Sequence, residues 1–218
     1  MSNQTIAEQV DAFNGGFTEQ IGPELSGVFA GEQAALTADG VPDGAVREGD
    51  VVPDADLVAA DGAPTTLAAA LAGAPAVVVF YRGAWCPYCN IALQTYQRDL
   101  LPTLRERGIG LIAISPQTPD GSAQAVQNGD LEFTVLSDPG NRLVRELGIL
   151  TEPSPEARTA HAALGFDVAD SNADATGDIP FPTVLVVDAD RTVRFADVHV
   201  DYTTRTEVPT IVAALDRL

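Results

Sequence analysis

Lysine is absent from these 218 residues, so all 12 basic side chains are arginine, set against 31 acidic ones for a net charge of −19. A surface of that sign repels phosphate backbones and anionic lipid, so neither nucleic acid nor a membrane surface is expected as a partner. Long apolar runs are missing too. The longest, Ala74 to Tyr81, contains Pro75 and ends at Arg82, far short of the ~20 residues of a membrane span. The first ten residues lack the basic and apolar regions of a secretory leader, so a cytoplasmic chain is expected. Cysteine occurs only twice, too rarely for a disulfide framework in a chain of this size. Histidine is equally scarce: His161 and His199 have no finger-like spacing to the cysteines, so a zinc site lacks its four ligands. Each histidine reads as an ordinary surface or strand residue, and no metal or cofactor is expected. No Gly-rich phosphate loop precedes a helix, and no internal repeat is visible.

The two cysteines that are present stand three positions apart, as Cys86 and Cys89. They follow the unbroken apolar run Ala76 to Tyr81, which reads as a central strand buried on both faces. They open a helix expected from Pro87 to about Leu100, kinked or restarted at Pro102. A Cys-x-x-Cys at a strand-to-helix junction is the signature of a thiol–disulfide redox site. Cys86 meets the unpaired N–H groups and positive dipole of the helix start, which favour a thiolate. Pro87 fits the first helical position, where a missing N–H costs nothing. Cys89, one turn on, shares the face of Cys86 within disulfide reach. Cys86 is therefore expected to be the attacking, more exposed sulfur and Cys89 the resolving one. Trp85 and Tyr88 flank the pair as partner-facing surfaces. Arg82, the nearest cation, is placed to hold the thiolate or orient a substrate through its fork of donors.

Around this stretch the chain has an α/β rhythm. Residues 3–38 place Ile6, Val10, Phe13, Phe17, Ile21, Leu25 and Val28 at helical spacings, interrupted at Gly15-Gly16 and Gly22-Pro23, so two or three short helices are expected. That stripe must be buried on the main domain or on a second copy, which suggests homodimerisation. Residues 39–54 are a turn-rich linker. Further strands are expected at Asp56–Ala60, Ile109–Ile114, Phe133–Leu136, Thr183–Val187 and Thr192–Val200. Helices are expected after Thr66, around 121–127, after Asp138-Pro139 and from Val208 to Leu218. Residues 151–180 read as a long loop with one helical turn near Ala157 to Leu164. Pro182 precedes a buried strand, where a cis X-Pro bond makes a tight turn and a trans proline is the commoner case.

The stretch Phe80-Tyr81-Arg82-Gly83-Ala84-Trp85-Cys86-Pro87-Tyr88-Cys89-Asn90 resembles the peroxiredoxin-like branch of the AhpC/TSA family, within the thioredoxin superfamily. Ala113 to Asp120, Leu136-Ser137-Asp138 with Gly148-Ile149, Pro182-Thr183 running into Val186-Val187-Asp188, and Asp201-Tyr202-Thr203 with Arg205 are similar to it in the same order. The resemblance covers roughly residues 45–218, leaving 1–44 as a helical extension and linker. It implies an α/β thioredoxin fold, a central mixed sheet flanked by helices, with Cys86 as peroxidatic residue. It implies Pro182 as a cis-proline facing Cys86, with Thr183 beside it. It also implies reduction of hydrogen peroxide or alkyl hydroperoxides, with electrons from thioredoxin, glutathione or a similar thiol. The chain departs from the pattern: Val79 and Gly83 stand where typical peroxiredoxins carry the proline and hydroxyl of Pro-x-x-x-Thr/Ser-x-x-Cys. Phe181-Pro182-Thr183 replaces their arginine before the later strand, and Phe80 stands at the buried acid of thioredoxins. Three functions fit this hybrid: a thiol peroxidase, which the resemblance favours; a thioredoxin- or glutaredoxin-like thiol–disulfide oxidoreductase, which the Cys-x-x-Cys favours; and a non-enzymatic redox sensor.

Overall fold

The structure, a computed structural model, describes residues 4–218. A seven-stranded mixed sheet runs in the order β2-β1-β5-β4-β3-β8-β9, made of β1 (Asp56–Ala59), β2 (Pro64–Thr66), β3 (Ala76–Phe80), β4 (Gly110–Ser115), β5 (Thr134–Ser137), β8 (Thr183–Val187) and β9 (Val193–Val198). Strands β3, β4 and β5 are parallel, and β8 lies antiparallel to β3 with Phe80 opposite Thr183. Every residue of β3 is buried, as its valine-rich sequence requires of a strand covered on both faces.

Side-chain alternation divides the core. Val77, Val79, Leu111, Ala113, Val184 and Val186 point to one face, where α3 (Pro87–Thr95), α4 (Leu101–Arg107) and α9 (Val208–Ala214) pack. Val78, Phe80, Ile112, Ile114, Leu185 and Val187 point to the other, covered by α2 (Leu67–Leu71), α6 (Arg142–Glu146) and the segment through Val46 and Val52. Thr66 caps α2 by accepting from the Ala69 N–H. Helices α3 and α4 are joined by a π-helical turn at Tyr96–Leu100, with the Leu101 N–H reaching the Tyr96 carbonyl. Pro102, which has no N–H to donate, sits in the first turn of α4.

Three expectations are corrected. Gly15-Gly16 does not break the first helix: α1 runs from Ile6 to Asp39 with one kink, at Gly22 (φ 80°) before Pro23. Neighbouring helical residues carry a Gly pair at a modest propensity cost, whereas a proline removes a ladder hydrogen bond outright. Of the two places expected for the apolar stripe of α1, the chain's own core takes its first turns. Ile6 and Val10 are buried in the chain's own core, and the middle of the stripe is half-buried against the rest of the chain. The segment 151–180 is no long loop: β6 (Leu150–Thr151) pairs with β7 (Ile179–Pro180), and α7 (Pro155–Ala163) and α8 (Val168–Ser171) lie between them. Both helices are short, and each has a side-chain cap, Ser154 on the Ala157 N–H and Asp167 on the Ala169 N–H. Last, no peptide bond among the described residues is cis, so Pro182 is trans. The extended residues of β7 lead into β8 with only Phe181 and Pro182 between, and the Thr183 hydroxyl donates to the Phe181 carbonyl at 2.9 Å, so the chain needs no tight reversal there. Among the described residues no helix is long and apolar enough to cross a membrane.

Candidate active site

β3 ends at Phe80, and the segment 81–86 carries the chain to Cys86, the N-cap of α3, with Pro87 in the first turn. Two contacts fix this segment: the Ala84 N–H donates to Gln117 Oε1 at 2.7 Å, and Asn90 Nδ2 donates to the Ala84 carbonyl at 2.9 Å. Gly83 has φ 150°, and a Cβ there would lie 2.5 Å from Trp85 Nε1 and 2.9 Å from Gln117 Cδ. The family's usual hydroxyl residue therefore has no room at this position.

Both cysteines are free thiols, and both are about 1% exposed. The expected difference in exposure is thus absent, because the walls of the site bury both sulfurs. They differ in surroundings instead: Cys86 lines a cavity of about 470 Å³, and Cys89 does not. The cation at the sulfurs is Arg205, from the loop after β9. Its Nη2 donates to Cys89 Sγ at 3.0 Å and lies 3.9 Å from Cys86 Sγ. The same guanidinium is anchored by its own loop, Nη1 donating to the carbonyls of Tyr202 and Thr204 at 2.6 Å each. The loop is shaped by Asp201, which accepts from the N–H and the hydroxyl of Thr203, a local side-chain turn of the kind Asp favours.

Burial pushes the Cys86 thiol well above the ordinary thiol range, and the neighbouring Cys89 adds to the rise. Burial acts on Cys89 as well, but the hydrogen bond from Cys86 and the charge of Arg205 outweigh it and hold Cys89 well below that range. The two thiols are thus driven apart, Cys86 on the cavity side toward its protonated form and Cys89 beside Arg205 toward its thiolate. The geometric source of this asymmetry is Arg205, which stands closer to the second sulfur than to the first.

The other sequence-singled residues are distributed unevenly. Trp85, Pro87, Tyr88 and Arg82 line the cavity with Cys86. The Arg82 guanidinium does not bond a sulfur; it stacks between Trp85 and Tyr202, 5.0 and 4.0 Å from their ring centroids. Pro182 lines a separate narrow crevice with Arg82, Glu32 and Tyr202, and Thr183 lines neither space. His161 is buried rather than superficial. Its ring lies among Phe29, Trp85 and Phe166, and burial lowers its pKa to about 4, so it is neutral at pH 7. His199 is a strand-end residue held by Asp197, Thr204 and Thr206. Arg205 and Glu32 are the site residues that sequence reasoning missed. Arg205 stood in a stretch similar to the family but had no assigned role. Glu32 gave no local signal; its carboxylate accepts from the Ser154 N–H at 2.7 Å and the Tyr202 hydroxyl at 2.8 Å.

A mixed sheet with helices on both faces and a Cys-x-x-Cys at the start of a helix defines a thioredoxin-fold dithiol protein. A model of the AhpC/TSA family matches residues 49–196, so the chain belongs to that family. The bcp protein of Haemophilus influenzae, described as a candidate peroxiredoxin, is 31% identical over 83 residues, 38% of this chain and 53% of its own length. The chain thus matches about half the length of that curated relative. Among solved structures, peroxidoxin BcpB of Mycobacterium tuberculosis superposes with a TM-score of 0.58 at 21% identity, over 79% of this chain and 96% of its own. Reduced Prx3 of Vibrio vulnificus in complex with hydrogen peroxide gives 0.63 at 18% identity, over 78% and 99%. At those identities the superpositions show a shared fold.

Proposed function

We propose that the chain is a thiol-dependent peroxidase that reduces hydrogen peroxide or alkyl hydroperoxides through Cys86 and Cys89. The observation that carries this reading is Arg205, whose guanidinium spans both sulfurs beneath a cavity that reaches Cys86. A buried cation beside a dithiol stabilises the thiolate and the anion that leaves when O–O breaks. Cys86 passes its proton to Cys89 across their hydrogen bond. The Cys86 thiolate attacks the terminal oxygen of ROOH, the S–O bond forms, the O–O bond breaks, and RO⁻ takes the proton from Cys89 to leave as ROH, which returns Cys89 to its thiolate. The Cys89 thiolate then attacks the sulfenic sulfur, the S–O bond breaks as the disulfide closes, and the hydroxide leaves as water with a proton from bulk solvent, balancing the one released when the dithiol first ionised. Two electrons pass from the dithiol to the peroxide, and a thioredoxin-like dithiol or glutathione returns them. Arg82 adds positive charge from the cavity wall, and Trp85, Pro87 and Tyr88 shape the approach.

Gly83 supports a second reading. With no room for the peroxiredoxin hydroxyl, the same dithiol suits attack on a protein or glutathione disulfide. Stopped-flow oxidation by hydrogen peroxide and by cumene hydroperoxide, followed by the fluorescence of Trp85, separates the two. A peroxidase oxidises far faster than free cysteine and loses the signal in Cys86→Ser. Oxidation at the rate of free cysteine, with disulfide reductase activity lost in Cys86→Ser, favours the oxidoreductase. Full function in Cys86→Ser removes both.

A further inference from the structure

The cavity above Cys86 is much larger than a small peroxide needs. Its volume, about 470 Å³, falls in the range of about 300–1,000 Å³ typical of sites for organic ligands. A water-sized molecule takes only about 30 Å³ of liquid. Aromatic residues supply much of its wall: Phe13, Phe17 and Phe29 from α1, Trp85 beside the thiol, and Phe166 after α7. Helix α1 lies outside the segment matched by the AhpC/TSA family, residues 49–196. One wall of the chamber therefore comes from outside the segment matched by the family.

The chamber also holds a guanidinium without a hydrogen-bond acceptor. Arg82 is only 4% exposed and lines the cavity, yet among the described residues its guanidinium makes no hydrogen bond and no ion pair. It lies instead over the rings of Trp85 and Tyr202. Glu32, which shares the neighbouring crevice with Arg82, is already engaged by the Ser154 N–H and the Tyr202 hydroxyl. A buried guanidinium fork without an acceptor is matched by one carboxylate, which takes two parallel N–H bonds. A more highly charged anion would leave charge uncompensated among the rings.

We propose that this chamber binds an apolar, ring-bearing organic acid with its carboxylate on Arg82, and that hydroperoxides of such acids are preferred over neutral ones of equal size. The second half rests on the peroxidase reading; the first does not. The aromatic body lies against the α1 wall, and Arg82 fixes which end of the molecule is turned from Cys86.

Calorimetric titration of the reduced protein with naphthalene-2-carboxylate and with naphthalene-2-methanol tests the binding. The acid is expected to bind at least about tenfold tighter than the alcohol, with the preference gone in Arg82→Met and both ligands weakened in Phe17→Ala. Equal binding of acid and alcohol to the unaltered protein, or binding of neither, overturns the proposal without reference to any variant. A preference that survives Arg82→Met overturns the role of Arg82. For the catalytic half, kcat/KM for cumene hydroperoxide is compared with that for its para-carboxylate, the acid being expected to lead by about tenfold. Acid-selective binding with neither hydroperoxide reduced leaves the binding site standing and removes the peroxidase reading. Both hydroperoxides reduced equally, with no acid-selective binding, does the reverse.

Discussion

At the carboxyl end of the parallel strands, β3 and β5 each run through a turn into a helix, and each places an ionisable side chain next to a proline there: Cys86-Pro87 and Asp138-Pro139. Asp138 is fully enclosed, and its carboxylate accepts from the N–H groups of Arg142, Leu143 and Val144 at 3.0, 2.9 and 3.2 Å. Its hydrogen-bonding capacity is spent on the helix it introduces. Cys86 is as deeply buried, yet as N-cap its side chain makes no bond to the helix amides. Its electrostatics come instead from Cys89, Arg82 and Arg205. The same local device is a structural staple at one strand end and a chemical site at the other. A cation brought in from 119 residues away makes the difference.

Breaking the distant contact should therefore change the chemistry most. In Arg205→Met the first thiol pKa of the reduced pair is expected to rise by about one to two units, so that the thiolate forms at correspondingly higher pH and oxidation slows in the window between the two values. Thiolate absorbance against pH and the stopped-flow oxidation rate measure the two effects, which should move together. The matching change at the other helix start, Asp138→Ala, leaves three buried N–H groups without an acceptor. It should lower unfolding free energy by about 2 kcal/mol in denaturant titration while leaving the thiol titration in place. A shift in thiol pKa as large as that of Arg205→Met would mean that the two strand ends are not separate.

The two sites also differ in how pH acts on the fold. Burial pushes Asp138 up to about 6, against the pull of its three amides. A carboxyl group that holds its proton more tightly folded than unfolded favours the fold at low pH, and that contribution is lost as pH rises through about 4 to 6. Asp138→Asn should flatten the fall in stability across this window, an effect of at most roughly 2–3 kcal/mol. An unchanged slope would show that another group governs it.

The contrast also explains what could be read from the sequence. Strands β3, β4 and β8 were legible because a strand buried on both faces must be apolar throughout, and Cys86, Pro87 and Cys89 were legible because strand, cap and helix are contiguous. Arg205 was not, since a hydrogen bond across 116 residues to Cys89 leaves no periodicity in the chain. Of helix α7 the sequence suggests only one turn near Ala157 to Leu164, although Ser154-Pro155-Glu156 is a capped helix start, with serine as N-cap, proline in the first turn and an acid beside the dipole. The proline- and alanine-rich composition of the segment masked that short signal. The trans state of Pro182 depends on how β7 leads into β8, a tertiary matter that the Phe-Pro pair alone cannot express.

Glu32 offers the smallest and most local test of the same division. It lies on α1, at the cysteine end, and joins that helix to the start of α7 through the Ser154 N–H and to the Arg205-bearing loop through the Tyr202 hydroxyl. Glu32→Ala removes both acceptors, at a cost of about 1 kcal/mol. Amide exchange should quicken at Ser154 and in the second half of α1, while the amides of Leu143 and Val144 keep their protection. Because Tyr202 also supplies a carbonyl to Arg205, a loosened Tyr202 should release part of the grip on Cys89 and raise the first thiol pKa slightly, in the direction of Arg205→Met. If exchange instead quickens equally around Asp138, α1 braces the whole sheet and the division between the two strand ends is weaker than their geometry indicates.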